Sequence, residues 1–262
     1  MTESTKGLRA EKVHFSYGDI GCLHDFSIEL KAGRFYGLIG PNGSGKSTFL
    51  DIISGFISPL KGKVYCNGIK LRHYSPADLA LILTTVPQSI NLNFDYTVHD
   101  VVMMGRHPHI PRFARPKETD FAHVEEAIEL MGISDLTTRK VMQLSGGEKQ
   151  RVMVARALAQ DTEMILLDEV TSNLDINHSI SIMKTMLRLV KNDGRTIIAA
   201  MHDLNMAAAF CEDLIVLDQG KICHFGPVSE VISESLISEL YGVAAHLSND
   251  SDGNRHIQFI YR

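Results

Sequence analysis

The chain has 262 residues, enough for one large α/β domain or two small ones. Its balance of 44% hydrophobic and 22% charged residues is that of an ordinary soluble globular protein, and a net charge of -5 argues against a broad nucleic-acid footprint. No apolar run nears the ~18 residues of a membrane span, and the polar start at residues 1–6 lacks the apolar centre of a signal peptide.

Residues 8–36 hold short alternating segments broken at Gly18, Gly21 and Gly33, which predicts an antiparallel β layer. Tyr17 ends one of these strands, where an aromatic ring can stack on a base or simply cover the sheet. Residues 35–39 then read as a buried strand. They lead into Gly40, Pro41, Asn42, Gly43, Ser44, Gly45, Lys46, Ser47 and Thr48, which fit the pattern G-x-x-x-x-G-K-[ST]. Residues 48–53 follow at helical spacing. Glycines at 40, 43 and 45 let the backbone turn tightly and gather N–H groups on one anion. The helix starting at Lys46 points its positive end at the same anion. Lys46 adds a point charge for outer phosphates, and the Ser47 hydroxyl suits Mg²⁺. A mere glycine-rich turn would need neither the flanking strand and helix nor the Lys-Ser pair.

Further on, residues 62–68 read as a strand with a turn, and residues 81–86 as a strand ending at Pro87 and Gln88. Thr97 and Asp100 mark a capped helix start, with Val98, Val101 and Val102 on one face. His107, Pro108 and His109 break that helix; with no further ligands in view, the histidines read as surface loop. A second helix over 117–131 carries Phe121, Val124, Ala127, Ile128 and Met131 at helical spacing. Leu144, Ser145, Gly146, Gly147 and Glu148 open another helix, whose bare N–H groups make a second anion site.

The apolar strand 164–167 ends at Asp168 and Glu169, carboxylates that either serve a metal and a water or cap a helix. A helix over 180–190 stops near Gly194. The strand 196–201 ends at His202 and Asp203, and a strand over 214–217 turns at Gly220. His202 alone reads equally well as a structural histidine. Strand–helix alternation predicts a parallel sheet with crossover helices, in which ligands bind at the carboxyl ends of strands. The loop after Ile39, Gln88, Asp168, Glu169 and His202 all fall at such ends. Cys22, Cys66, Cys211 and Cys223 lie far apart and read as buried thiols.

In order and spacing, residues 40–48, Gln88, residues 144–148, 165–169 and 172–175, and His202 resemble the ATP-binding cassette (ABC) ATPases, over about residues 8–243. The resemblance implies an α/β fold: a P-loop NTPase core with a mostly parallel sheet, an N-terminal antiparallel β layer and an inserted helical subdomain. One nucleotide-binding domain would span 1–262, with 1–88 and 159–245 as ATPase core, 89–158 as helical subdomain and 246–262 as a C-terminal extension. ATP and Mg²⁺ are the implied cofactors, and a second copy of the chain the implied partner, head to tail around two ATP. Carried over by resemblance, Tyr17 stacks on adenine and residues 40–48 hold the phosphates. Ser47, Gln88 and Asp168 serve Mg²⁺, Glu169 polarises the attacking water, and His202 contacts the γ-phosphate. Ser145, Gly146, Gly147 and Glu148 face the γ-phosphate of the other copy, and Ser172, Asn173, Leu174 and Asp175 touch that opposite site. The family usually has Pro after the catalytic Glu; this chain has Val170.

Without a membrane span, such an ATPase would need separate integral-membrane permease subunits, and indirectly a substrate-binding protein. Tyr96, Thr97, Val98, Asp100, Val101, Val102, Gly105, Arg106 and Pro108 resemble the subfamily serving ferric-siderophore, haem and cobalamin importers. This implies a peripheral position on the cytoplasmic face of the inner membrane and no nucleic-acid partner. Ile90, Leu92, Phe94 and Tyr96, with Arg106, Arg112 and Arg115, are the expected permease contact. The alternative is a soluble ABC ATPase acting on nucleic acid or ribosomes, but those usually carry a long coiled-coil insertion or tandem cassettes. A P-loop GTP switch would need an N-K-x-D motif, which the sequence lacks.

Overall fold

The computed structural model describes residues 6–18, 20–88, 95–172, 174–249 and 255–260; Ile90, Leu92, Phe94 and Asn173 lie outside the described residues. In chain order the strands are β1 (Gly7–Tyr17), β2 (Ile20–Lys31), β3 (Phe35–Ile39), β4 (Lys61–Cys66), β5 (Ile69–Lys70), β6 (Leu83–Val86), β7 (Met164–Asp168), β8 (Thr196–Ala200), β9 (Asp213–Asp218), β10 (Lys221–Pro227), β11 (Ala245–Asn249) and β12 (Arg255–Phe259). The α-helices are α1 (Lys46–Ile53), α2 (Pro76–Ala80), α3 (Val98–Met103), α4 (Glu118–Leu130), α5 (Gly146–Ala159), α6 (Ile176–Asp193), α7 (Leu204–Phe210), α8 (Val228–Val231) and α9 (Glu234–Tyr241). The chain divides into two compact units, residues 1–73 with 196–262, and residues 74–195.

In the first unit, β1 pairs antiparallel with β2 and β4, and β5 completes a layer ordered β2-β1-β4-β5. Burial along β1 alternates for most of its length, as a strand covered on one face requires. The second sheet of this unit runs β10-β9-β3-β8, with β3 parallel to both β8 and β9 and β10 antiparallel at the edge. Every residue of β3 and β8 is buried, the signature of parallel strands covered on both faces. Phe49 of α1 packs its ring 5.2 Å from that of Phe26 in β2. A two-stranded ribbon, β11 with β12, lies against α7.

In the second unit, β6 and β7 pair in parallel, and α3, α4 and α5 form a helical cluster. Val98, Val101 and Val102 face that cluster with Val124, Ala127 and Ile128, so the helical spacing read from the sequence places the core. Phe121 does not join it: the side chain is 42% exposed and stacks on His99. α3 opens on a complete capping box between Thr97 and Asp100. α6 spans more than the 180–190 expected, because Asp175 caps its start and Gly194, in the left-handed conformation, ends it. Gly105 passes so close to α5 that a Cβ there would sit 2.2 Å from the Arg156 carbonyl oxygen.

Arg106 is buried rather than displayed for a partner. Its Nε donates to Asp120 at 3.0 Å and its Nη1 to the Ala159 carbonyl at 2.8 Å. The cysteines also depart from expectation: Cys66 and Cys211 are buried, but Cys223 is exposed on the edge strand β10.

Candidate functional site

In the first unit the 40–48 loop leaves the buried strand β3 and enters α1. Gly40 has φ +154°, and a Cβ on it would meet the Leu217 carbonyl oxygen at 2.1 Å. Gly45 caps α1 at φ +103° with no side-chain cap, and the first bond of the turn is Phe49 N–H to the Gly45 carbonyl at 2.8 Å. The amides before Phe49 therefore have no acceptor one turn back inside the helix. Gly43, at φ +78°, has nothing within 4 Å of a Cβ position, so the cradle is open on that side. The Lys46 ammonium is folded into the loop, donating to the Gly40 carbonyl at 2.9 Å and the Pro41 carbonyl at 3.3 Å. Neutral carbonyls solvate this charge without cancelling it. Ser44 Oγ is buried and has no hydrogen-bond partner among the described residues. A positive helix end, an ammonium and an orphaned hydroxyl donor around one open cradle fit an oxyanion such as a phosphate.

The loop is braced by contacts that its local sequence does not announce. The Gly220 amide donates to the Ser44 carbonyl at 3.1 Å, and Cys22 Sγ to Thr48 Oγ1 at 3.2 Å. Tyr241, at the end of α9, lies against the Gly40 backbone, and burial pushes its hydroxyl up to about 12. Tyr17 is half exposed at the end of β1, its ring edge-on to Phe15. His202 is exposed just beyond β8, and Asp203 caps α7 by accepting from the amides of Asn205 and Met206.

In the second unit, Gln88 follows β6, Asp168 ends β7 and Glu169 comes directly after it. Gln88 Nε2 donates to Glu169 Oε2 at 2.6 Å, so the structure brings together two residues chosen from separate strand ends. Glu169 is 8% exposed and has φ +50°, unusual for a residue with a side chain. A following proline would push this residue toward extended backbone; Val170, itself buried, does not. Ser145 heads α5 in a reciprocal cap. Its hydroxyl accepts from the Glu148 amide at 3.3 Å, and the Glu148 carboxylate accepts from the Ser145 amide at 2.8 Å and hydroxyl at 2.7 Å. Those bonds hold the Glu148 carboxyl below its ordinary range. A Cβ on Gly146 would meet nothing within 4 Å. Asp175 caps α6 and pairs with His178 at 2.8 Å; the His178 amide, then its ring, hold the Asp175 carboxyl low.

His109 Nε2 donates to the Gln160 carbonyl, 2.7 Å away, and among the described residues no group of three His, Cys, Asp or Glu side chains could hold a metal ion.

Residues 23–172 match the family described as ABC transporter. This chain belongs to the ABC transporter ATPases. The ferric enterobactin transport ATP-binding protein FepC of Escherichia coli K12 is 37% identical over 250 residues, covering 95% of this chain and 92% of that protein. The iron(3+)-hydroxamate import ATP-binding protein FhuC of Bacillus subtilis is 36% identical over 254 residues, covering 97% and 94%. Among solved structures, an inward-facing ABC transporter provisionally assigned to the metal-chelate type superposes with a TM-score of 0.83 at 27% identity, over 98% of each chain. A dimeric ATP-binding cassette in a post-hydrolysis state, bound to ADP and Pi, superposes with a TM-score of 0.75 at 31% identity, over 84% of this chain and 98% of that one. The ABC ATPase fold is thus shown, with its α/β sheet and antiparallel layer. No helix of the described residues is long and apolar enough to cross a membrane.

Proposed function

We propose that this ABC ATPase binds and hydrolyses ATP to power uptake of a metal chelate (a ferric siderophore, haem or cobalamin) through separate membrane permease subunits. The observation that carries the reading is the open, cationic cradle of residues 40–48, with a buried hydroxyl that has no partner among the described residues. Support for the cargo comes from the siderophore importers that the chain resembles over nearly its whole length.

In this reading the cradle amides, Lys46 and Ser44 bind the β- and γ-phosphates, and Tyr17 stacks on adenine. Ser47, Gln88 and Asp168 are hard oxygen donors of the kind Mg²⁺ takes, and the ion would neutralise phosphate charge when bound. Glu169, oriented by Gln88, accepts a proton from the attacking water. His202 donates to the γ-phosphate. Ser145, Gly146 and Gly147, capped by Glu148, face the γ-phosphate held by a second copy of the chain, and Asp175 lies at the same interface. Phosphoryl transfer asks mainly for positioning and charge neutralisation, which these groups supply. The ATPase then sits peripherally on the cytoplasmic face of the membrane, where its permease and a substrate-binding protein complete the importer.

The test is co-purification and transport. The chain, expressed with its candidate permease, is expected to co-purify with it in detergent. It should also drive ATP-dependent chelate uptake into vesicles. Recovery with nucleic acid or ribosomes and no membrane protein would favour the soluble alternative instead.

A further inference from the structure

The C-terminal ribbon of the first unit is fastened to the helix that follows His202. Ile260 N–H bonds the Ala244 carbonyl at 2.8 Å, which sets the alternation of the β11–β12 ladder. Ile257, three residues away and opposite Leu247, then turns its own N–H and C=O away from β11. Both groups meet a single side chain. Asn205 Oδ1 accepts from the Ile257 amide at 2.7 Å, and Asn205 Nδ2 donates to the Ile257 carbonyl at 3.1 Å. The carboxamide thus does what one residue of a third strand would do, and it satisfies an edge that would otherwise be open. Ile257 is 2% exposed, so those backbone groups have little recourse to water.

Asn205 is also the second residue of α7. Its own amide donates to the Asp203 carboxylate at 2.8 Å, and Asp203 is covalently next to His202. The other side of His202 is fixed as well, because the Met201 amide donates to the Leu38 carbonyl of β3 at 3.0 Å. The ribbon has its own anchorage away from α7. The Leu247 amide donates to Glu234 Oε1 at 2.9 Å, His246 Nδ1 lies 3.1 Å from the same oxygen, and Arg255 bonds the Ile232 carbonyl. A rigid platform therefore holds the start of α7, and α7 holds His202.

We infer that Asn205 is a positioning residue for His202, through which the C-terminal ribbon fixes the histidine against the γ-phosphate. The inference rests on the role assigned to His202 above. It predicts a function for the β11–β12 pair in turnover rather than in folding alone.

The experiment compares full-length wild type, His202→Ala, Asn205→Ala and the double variant, by steady-state and single-turnover ATP hydrolysis and by thermal melting. Asn205→Asp, which keeps the acceptor for the Ile257 amide, carries the same comparison should Asn205→Ala fail to fold. Asn205→Ala is expected to lower kcat at least ~5-fold with KM for ATP close to wild type, and to lower the melting temperature as well, because two buried backbone groups of Ile257 lose their partner. In the His202→Ala background the same change is expected to cost less than ~2-fold, because residues acting as one unit are not additive. Wild-type kcat in Asn205→Ala would overturn the proposal, as would a full, multiplicative loss in the double variant. Wild-type turnover in His202→Ala would instead overturn the assignment of His202 on which the proposal rests.

Discussion

The Gln88 carboxamide reaches the Glu169 carboxylate across 2.6 Å, joining residues 81 positions apart in the chain. The bond orients the acid yet leaves its negative charge intact, because an amide donates a hydrogen bond without neutralising. That is the arrangement a base for a water molecule needs. Glu169→Gln preserves the shape and the bond but removes the charge. Hydrolysis by this variant should fall ~10²–10⁴-fold, the usual cost of losing a general base. ATP binding, measured by equilibrium dialysis, should persist. A variant that turns over at the wild-type rate would show that another residue activates the water.

Lys46→Ala removes the only cation the structure places within the 40–48 loop. Turnover should drop at least ~10²-fold, the scale for deleting one preorganised electrostatic group. The fold should survive, because the ammonium is bonded to two carbonyls of its own loop. Circular dichroism and ATPase assays on the same preparation check both halves of this expectation.

Arg106 and Asp120 form a buried pair, with side chains 6% and 7% exposed. Asp120→Ala should destabilise the second unit by about 3–5 kcal/mol, since it strands a buried guanidinium. Replacing both partners with apolar residues of similar volume should recover much of the loss. The Lys117 amide first, and Arg106 after it, hold the Asp120 carboxyl below its ordinary range. A depressed folded-state pKa contributes stability that is fully present above the unfolded value, near pH 4, and is lost as pH falls below it. Urea titrations at pH 7 and pH 3 should show this contribution in the wild type and its absence in the apolar double variant.

Phe113 is 94% exposed in a loop with φ +71°, and the Arg112 guanidinium lies 5.2 Å from its ring centroid. With Arg106 withdrawn into the core, Arg112, Phe113 and Arg115 are among the residues that the exposed segment 111–119 presents. Arg112→Ser with Phe113→Ser should leave the basal ATPase of the isolated chain unchanged. The same variant should impair assembly with the permease and its stimulation by substrate. Unchanged assembly would place the permease contact elsewhere.

What the sequence disclosed, and what it hid, follows from distance along the chain. The glycine loop and the boxes Thr97–Asp100 and Ser145–Glu148 are governed by neighbours three residues apart, so their residues declare them. Gln88 and Glu169 were both legible as strand ends, but their bond was not, since it depends on how β6 and β7 pair. Arg106 looked like a surface cation because its partner lies 14 residues on, and its burial is a product of helix packing. Phe121 shows the limit of helical spacing: the period fixes a face, but the edge of that face can lie in solvent. The Asn205–Ile257 junction spans 52 residues, and a lone asparagine in a helix gives no sign of completing a sheet edge.

The reciprocal cap at Ser145 has a thermodynamic corollary for the proposed meeting of two copies of this chain. The Ser145 hydroxyl proton already rests on the Glu148 carboxylate at 2.7 Å. A phosphate arriving at the start of α5 must draw that proton from one anion to another, so the count of hydrogen bonds at the hydroxyl does not rise. The amide of Glu148 keeps its bond to the Ser145 oxygen, so the helix cap itself survives the exchange. Contact at this end of the helix is therefore an exchange, close to balanced. In the proposed two-copy assembly, a junction built on it would close when a γ-phosphate tips that balance and relax once the phosphate is gone.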